Sequence, residues 1–218
     1  MLFKGLITLA MASLAVAITQ KAPAADDKPA PDGVIPGYEI VPVTWEVRAF
    51  DDGPLLSING TVEQVMDELR KINPNIDAEV HAAAAAAKLE NRDSPSLDTS
   101  LLSKRYDREG HFCGGRWPVA AIGSIWSGIE YLRGVKGQPG QSGSGKCGRV
   151  SCSDNGAIYW CNDNTGYKTL NSWSDIANAA DYIARNCVFD NPGYFLWGTS
   201  GQIFYKDKWN VIVRNDNC

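Results

Sequence analysis

Apolar residues return at helical spacing in three stretches of the chain. Over 61–72, Val62, Val65, Met66 and Leu69 fall on one face. Thr61 can cap that helix, Gln64 stands at the capping-box position, and Asn73-Pro74 ends it. Over 119–135 the face is Ile122, Ile125, Trp126, Ile129 and Leu132, with Pro118 suited to the first turn and Gly134 to the C-terminal end. Over 172–186 it is Ile176, Ala179, Ala180 and Ile183, reaching Cys187, and Ser172 opens the helix with Asp175 three residues on. Between these lie short runs with the β-branched and aromatic content of strands: 38–47, 55–58, 148–153, 157–161, 202–205 and 209–214. Asn59-Gly60 reads as a turn. Asp154-Asn155-Gly156 predicts one hairpin, because Asn-Gly between strand-like runs supplies the backbone angles a tight turn needs. Lys206-Asp207-Lys208 marks a second hairpin. The glycine-rich stretch 137–146 reads as a flexible loop. Its Gly-Ser-Gly-Lys ending is not a phosphate loop, since Cys147 stands where Ser or Thr is needed and the glycine spacing is wrong.

The two ends of the first half carry a different pattern. Met1 to Lys4 gives a short basic start, an uncharged apolar run follows to Ala17, and Ala15-Val16-Ala17 has the small-x-small form of a cleavage site. Residues 1–17 thus read as a secretory signal peptide; the run is shorter than the ~20 apolar residues that a membrane span requires. No later stretch is long and apolar enough to span either. Residues 18–36, rich in Ala, Pro and Asp, read as a leader. From 81 the chain changes character again, with six alanines over 82–87, a polar low-complexity stretch over 90–100, and then Leu102-Ser103-Lys104-Arg105. A dibasic pair after such a tract is open to proteolysis, and Lys-Arg is what kexin-type processing proteases of the secretory pathway prefer.

The cysteines sharpen this division. The chain has 218 residues, enough for one domain or two small ones, and its six cysteines are Cys113, Cys147, Cys152, Cys161, Cys187 and Cys218. All follow Arg105. An even count in an exported domain of this size reads as three disulfides, with fifteen pairings open. Charge divides in the same way. The formal net charge of −4 comes from the first 105 residues, with 15 Asp and Glu against 10 Lys and Arg; from 106 onward 11 basic residues face 10 acidic ones. A near-neutral later half excludes nucleic-acid binding of the usual basic kind and anionic-membrane steering. The expected organisation is a signal peptide over 1–17, a small α/β pro-segment over 18–105, and a mature domain over 106–218. The mature domain is α+β, disulfide-stabilised, with two helices packed on an antiparallel sheet.

Candidate chemistry is sparse. His111 is the one histidine after Arg105, and cysteine nucleophiles are excluded if all six are bridged. A pair of carboxylates can hydrolyse a glycosidic bond, with Glu109 and Glu130 as candidates, although no pair stands out. Asn162-Asp163-Asn164 is a poor calcium loop, its oxygen donors being adjacent rather than alternate. No metal, cofactor or catalytic set is expected. Asn59-Gly60-Thr61 is the one Asn-x-Ser/Thr sequon and a candidate glycan site. Six of the seven tryptophans follow Arg105. Trp126 and Trp160 read as core, whereas Trp197, in the glycine-flanked aromatic loop 191–200 with Tyr194 and Phe195, is the better candidate for a binding surface.

The layout resembles that of the kexin-processed, cysteine-rich secreted proteins of filamentous fungi. The resemblance rests on the signal peptide, the stretch YEIVPVTWEVRAF through LSINGTVEQVMDELRKINPN ahead of the Leu-x-Lys-Arg motif, the core CGRVSCSDNGAIYWCNDN, and WNVIVRNDNC at the C-terminus. Characterised proteins of this layout include plant-directed effectors and necrosis-inducing toxins. The element order and terminal cysteine are also similar to the fungal killer-toxin sandwich, without a match cysteine by cysteine. The resemblance implies that Leu102, Lys104 and Arg105 close a pro-domain for a kexin-type protease, and that the mature domain acts by binding a host or microbial target rather than by catalysis. The alternatives are an antimicrobial killer-type toxin and a carbohydrate-binding protein or hydrolase of the cell wall.

Overall fold

The computed structural model describes residues 33–90, 107–141, 143–190 and 197–218. The expected signal peptide, the leader up to 32 and the processing motif at Leu102, Lys104 and Arg105 lie outside the described residues, as do Tyr194 and Phe195. In chain order the elements are β1 (Glu39–Ile40), β2 (Thr44–Val47), β3 (Leu56–Asn59), α1 (Val62–Ile72), α2 (Ile76–Glu90), β4 (Arg108–Cys113), β5 (Ala120–Ala121), α3 (Ile122–Gly134), β6 (Gly140–Gln141), β7 (Lys146–Ser153), β8 (Gly156–Asn162), β9 (Lys168–Thr169), α4 (Trp173–Asn186), β10 (Val188–Phe189), β11 (Gly198–Thr199), β12 (Gly201–Tyr205) and β13 (Trp209–Asn215).

A six-stranded sheet in the order β1-β7-β8-β13-β12-β4 organises the molecule. It is antiparallel except at one edge, where β1 from the first half pairs with β7 in parallel. The sheet is therefore mixed, not purely antiparallel as the sequence predicts. The strand expected over 38–47 is two strands in different sheets: β1 joins the large sheet and β2 pairs with β3. Pro42 lies between them and has no N–H to continue a ladder, so pairing stops after the Val41 amide donates to the Cys147 carbonyl at 2.9 Å.

Alternation along the strands sorts the core into two faces. Ile158 and Trp160 of β8 and Val211 and Val213 of β13 point to the helices, while Ala157, Tyr159, Cys161 and Ile212 point the other way. On β7, Cys147 and Cys152 are five residues apart, a spacing that would put them on opposite faces of a regular strand. The ladder shifts register between Arg149 and Ser151, and this bulge brings both into the second face. Cys147 then stands directly opposite Cys161 and bonds to it, and Cys152 reaches Cys218. Cys113–Cys187 ties β4 to the end of α4. All six cysteines are paired.

The three anticipated helices form over their apolar stretches, but α3 starts only at Ile122, so Pro118 is not in its first turn, because Ala120–Ala121 pairs with β11 instead. Gln64 Oε1 accepts from the Thr61 amide at 2.9 Å, and Ser172 and Asp175 form a full capping box at the start of α4. The hairpin between β7 and β8 also forms, but its turn residues are Asp154 and Asn155, with φ of +46° and +60°. Positive φ at both positions is what the tight hairpin turn requires, and Asp and Asn tolerate it. Gly156 belongs to β8 instead, where a side chain would meet Ser124 Cβ at 2.6 Å.

Helix α2, strand β4 and the short strands β5, β6, β9, β10 and β11 have no counterpart in the sequence reading. Among the described side chains of alanine-rich α2, Ile76, Val80 and Ala84 are buried, at i, i+4 and i+8, and that stripe is too small to stand out from an alanine run. Alanine is nevertheless the strongest helix former. Strand β4 is an edge strand exposed along nearly its whole length, so it shows no core-facing alternation. Within the expected flexible loop over 137–146, β6 pairs with β9 in a two-stranded sheet. Strands β5, β10 and β11 form a three-stranded one.

Residues 33–90 do not stand apart from 107–218. Ten apolar residues of the earlier part, among them Val43, Trp45, Val62, Met66, Leu69 and Val80, are buried in the same cluster as Ile129, Leu132, Val150, Trp160 and Trp173 of the later part. Helix α3 is the pivot, lying against the sheet, α4 and both α1 and α2. Arg70 ties three helices together: its fork holds both Asp77 carboxylate oxygens at 2.8 Å and its Nη2 donates to the Tyr131 hydroxyl at 3.2 Å. Hydrogen bonding between Arg70 and Asp77 is the main reason the Asp77 carboxyl is held below its ordinary pKa and the Arg70 guanidinium above its own.

Candidate functional site

The aromatic loop chosen from sequence is exposed where the structure describes it. Trp197 is 62% accessible and immediately precedes β11, its carbonyl accepting from the Ile122 amide at 3.0 Å. The backbone is thus anchored to the start of α3 while the indole projects outward. Large exposed aromatics are uncommon, and a tryptophan on a fixed backbone loses little entropy on contact, which suits it to a binding surface. The other tryptophans of the later half differ: Trp117, Trp160, Trp173 and Trp209 are at most 2% exposed. Trp126 is partly buried against the core, with the Arg185 guanidinium 4.9 Å over its ring.

The residues considered for hydrolysis are not brought together. Glu109 on β4 pairs with Lys208 at 3.4 Å, Glu130 on α3 pairs with His81 of α2 at 2.8 Å, and His111 meets the edge of the Tyr182 ring. All three pairings are on the surface. Among the described residues no group of three His, Cys, Asp or Glu converges as a metal ion would require. The Asn162-Asp163-Asn164 oxygens are used internally. Asn162 Oδ1 accepts from the Asn164 amide, and the Asp163 carboxylate accepts from Tyr38 at 2.6 Å and Asn210 at 2.7 Å. Asn59 is exposed at the end of β3, with its Oδ1 held by the Thr44 hydroxyl at 2.7 Å.

The feature that sequence reasoning missed is the seam between the two parts. A cleft of about 640 Å³ opens along it, floored by Val47, Ala49, Leu69 and Val80 from the earlier part and Val135 from the later. Phe50 and Leu55, both at least half exposed, stand on its lip. Its charged rim includes the Lys136–Asp51 ion pair, which crosses the seam. The only local signal was two large apolar residues in a turn-like stretch, and their partners lie some eighty positions away.

Polar ties cross the same seam. The Glu63 carboxylate accepts from the Ser151 hydroxyl at 2.6 Å and from the Cys152 amide at 3.0 Å, at the β7 bulge. The Tyr38 hydroxyl donates to Asp163 and accepts from Asn210 Nδ2 at 2.8 Å. Asp216 accepts from the Gly33 amide at 2.7 Å and from the Tyr159 hydroxyl, and Arg214 donates to the Val34 carbonyl at 3.0 Å.

Burial first, and hydrogen bonding to Asp163 or Asp216 second, raise the pKa of Tyr38 and Tyr159 above the ordinary 10.0. The sign follows from which state keeps its proton. Below pH 10 both folded and unfolded chains hold these protons, and the stabilisation is complete. Above it the unfolded chain releases protons that the folded chain must retain, so stability falls as pH rises. The urea midpoint will therefore drop between pH 9 and pH 11, and Tyr159→Phe will drop less steeply than the wild type over that range. Equal slopes for the two proteins would remove Tyr159 as a source of the alkaline loss.

Comparison with protein-family models, curated proteins and solved structures finds no match to this chain. Function is therefore argued from its own residues. Three disulfides stabilise the later part, and no helix among the described residues is long and apolar enough to cross a membrane.

Proposed function

We propose that this chain is the precursor of a secreted effector or toxin-like protein, matured by a kexin-type protease that cuts after Arg105, and that 106–218 acts by binding a host target. The observation that carries the reading is where the bridges fall. All three close within 113–218, and the Leu-x-Lys-Arg motif lies between the end of α2 at Glu90 and the start of β4 at Arg108. A cut there severs none of the described elements. Disulfides confined to one side suit a part that must survive outside the cell. Trp197, with Tyr194 and Phe195 near it in sequence, is the proposed contact surface, and Asn59 is the proposed glycan site.

Two measurements test this. The secreted protein, denatured, should yield a fragment beginning at Tyr106 that gains the mass of two hydrogens per bridge on reduction. A single uncut chain overturns the processing step. The protein should then provoke a response on infiltration into plant tissue, and Trp197→Ala should weaken that response by at least about tenfold. The same substitution should leave stability within about 0.5 kcal/mol, as for other surface changes. Growth inhibition of competing microbes without a plant response would move the target from host to microbe. An unaltered response for Trp197→Ala would place the contact elsewhere.

A further inference from the structure

We propose that, once the chain is cut between its two parts, residues 33–90 stay bound to 107–218 as the smaller subunit of a non-covalent two-chain protein. The proposal rests on the processing reading above for its biological occurrence, but its physical content is a property of the fold.

The later part is shaped around the earlier one. Gly134, at the end of α3, has no side chain where a Cβ would collide with the Val80 carbonyl and side chain of α2. Gly148 of β7 leaves room for Val43 in the same way, and a Cβ on Gly137 would press on the Glu46 carbonyl at 3.2 Å. These are positions in the disulfide-bonded part whose vacant space is filled by atoms from 33–90. A domain that worked alone would gain helix stability from a side chain at Gly134.

The face beneath is not one that water would cover well. Helix α3 buries Ile125, Gly128, Ile129, Leu132 and Gly134, with the sheet and α4 on some sides and α1 and α2 on the others. A helix apolar around most of its circumference belongs in an interior. Trp173, 1% exposed, is covered by Trp45, whose ring stacks on it with centroids 3.6 Å apart. Without β1, strand β7 would become an open sheet edge, with the Gly145 and Cys147 carbonyls losing the Glu39 and Val41 amides.

Polar recognition fixes the register of the two parts. Glu63 caps the β7 bulge, Tyr38 closes the Asp163–Asn210 pair, and Arg214 and Asp216, both at most 1% exposed, hold the backbone of Val34 and Gly33. Yet no disulfide joins the two parts, because every cysteine lies after residue 112. Retention is by packing and hydrogen bonds alone, so release needs no reductant.

The test separates this inference from the processing reading. Residues 102–105 of the full chain are replaced by the recognition sequence of a site-specific protease, and the folded protein is cut. Non-reducing denaturing electrophoresis should show two fragments. Size exclusion and native mass spectrometry should show one species holding both in equal number, surviving dilution from about 10 μM to about 0.1 μM, as a dissociation constant well below micromolar demands. Two separate peaks at about 10 μM would overturn the two-chain proposal, whatever protease acts in the organism. A secreted wild-type protein left uncut at Arg105 would instead overturn the processing reading and leave the engineered-cut result standing.

Discussion

Asp216→Ala will cost about 3–5 kcal/mol of folding stability, as loss of one partner from a buried ion pair does. Asp216 is 1% exposed and Arg214 is not exposed at all, with the guanidinium Nε 3.8 Å from the carboxylate. The carboxylate also accepts from the amides of Gly33 and Asn217 and from the Tyr159 hydroxyl. Removing it breaks this buried ion pair and strips three donors of an acceptor. Arg214 keeps its bonds to the Val34 and Asn215 carbonyls and its place 5.4 Å from the Trp117 ring. Against a total stability of about 5–15 kcal/mol for an ordinary domain, the loss is a large fraction. The check is guanidinium denaturation followed by tryptophan fluorescence. The double variant Arg214→Met/Asp216→Leu discriminates the cause, because it removes both members of this ion pair. It should be more stable than Asp216→Ala alone. A double variant as weak as the single one would mean that the hydrogen bonds to Gly33 and Tyr159, not the broken ion pair, carry the effect.

What sequence could and could not convey follows from the range of the interactions. Helices α1, α3 and α4 were legible because periodicity and caps are written within a dozen residues: Val62, Val65, Met66 and Leu69 in the first, and Ser172 with Asp175 at the head of the last. The bridging of all six cysteines followed from their number and their position after Arg105. The pairing did not, since it depends on a register shift between Arg149 and Ser151 that turns Cys152 to the same face as Cys147. Helix α2 escaped notice because alanine marks composition more strongly than it marks a face. The roles of Tyr38 and Glu63 were invisible for another reason. Each is an ordinary polar residue in its own neighbourhood, and its partners, Asp163 and Ser151, lie 125 and 88 positions away. The seam cleft has the same origin. The candidate surface at Trp197 was legible because an aromatic cluster in a loop bracketed by Gly193 and Gly198 is a local property.

The seam also decides how the protein unfolds, and Trp45→Ala measures it. Trp45 has no exposed surface, stacks on Trp173 at 3.6 Å with the planes 16° apart, and donates from its indole to the Gly60 carbonyl at 2.8 Å. Truncating a buried tryptophan costs about 3–5 kcal/mol through lost transfer energy and the cavity left behind. The stacked pair adds about 0.5–1.5 kcal/mol. The size of the loss matters less than its distribution. If 107–218 were stable by itself, Trp45→Ala would loosen only 33–90, and denaturation would split into an early transition for α1 and α2 and a late one at the wild-type position. One shared core makes a different demand: Trp173 sits at the start of α4, whose buried face packs on β12 and β13, so a defect at Trp45 reaches the far strands of the sheet. The expected result is one transition, coincident by far-ultraviolet circular dichroism and by fluorescence, moved to lower denaturant with its slope unchanged. A split transition would instead make the disulfide-bonded part the autonomous unit and the earlier part its passenger. Coincidence means that the six cysteines and the ten buried apolar residues ahead of them stabilise a single cooperative structure.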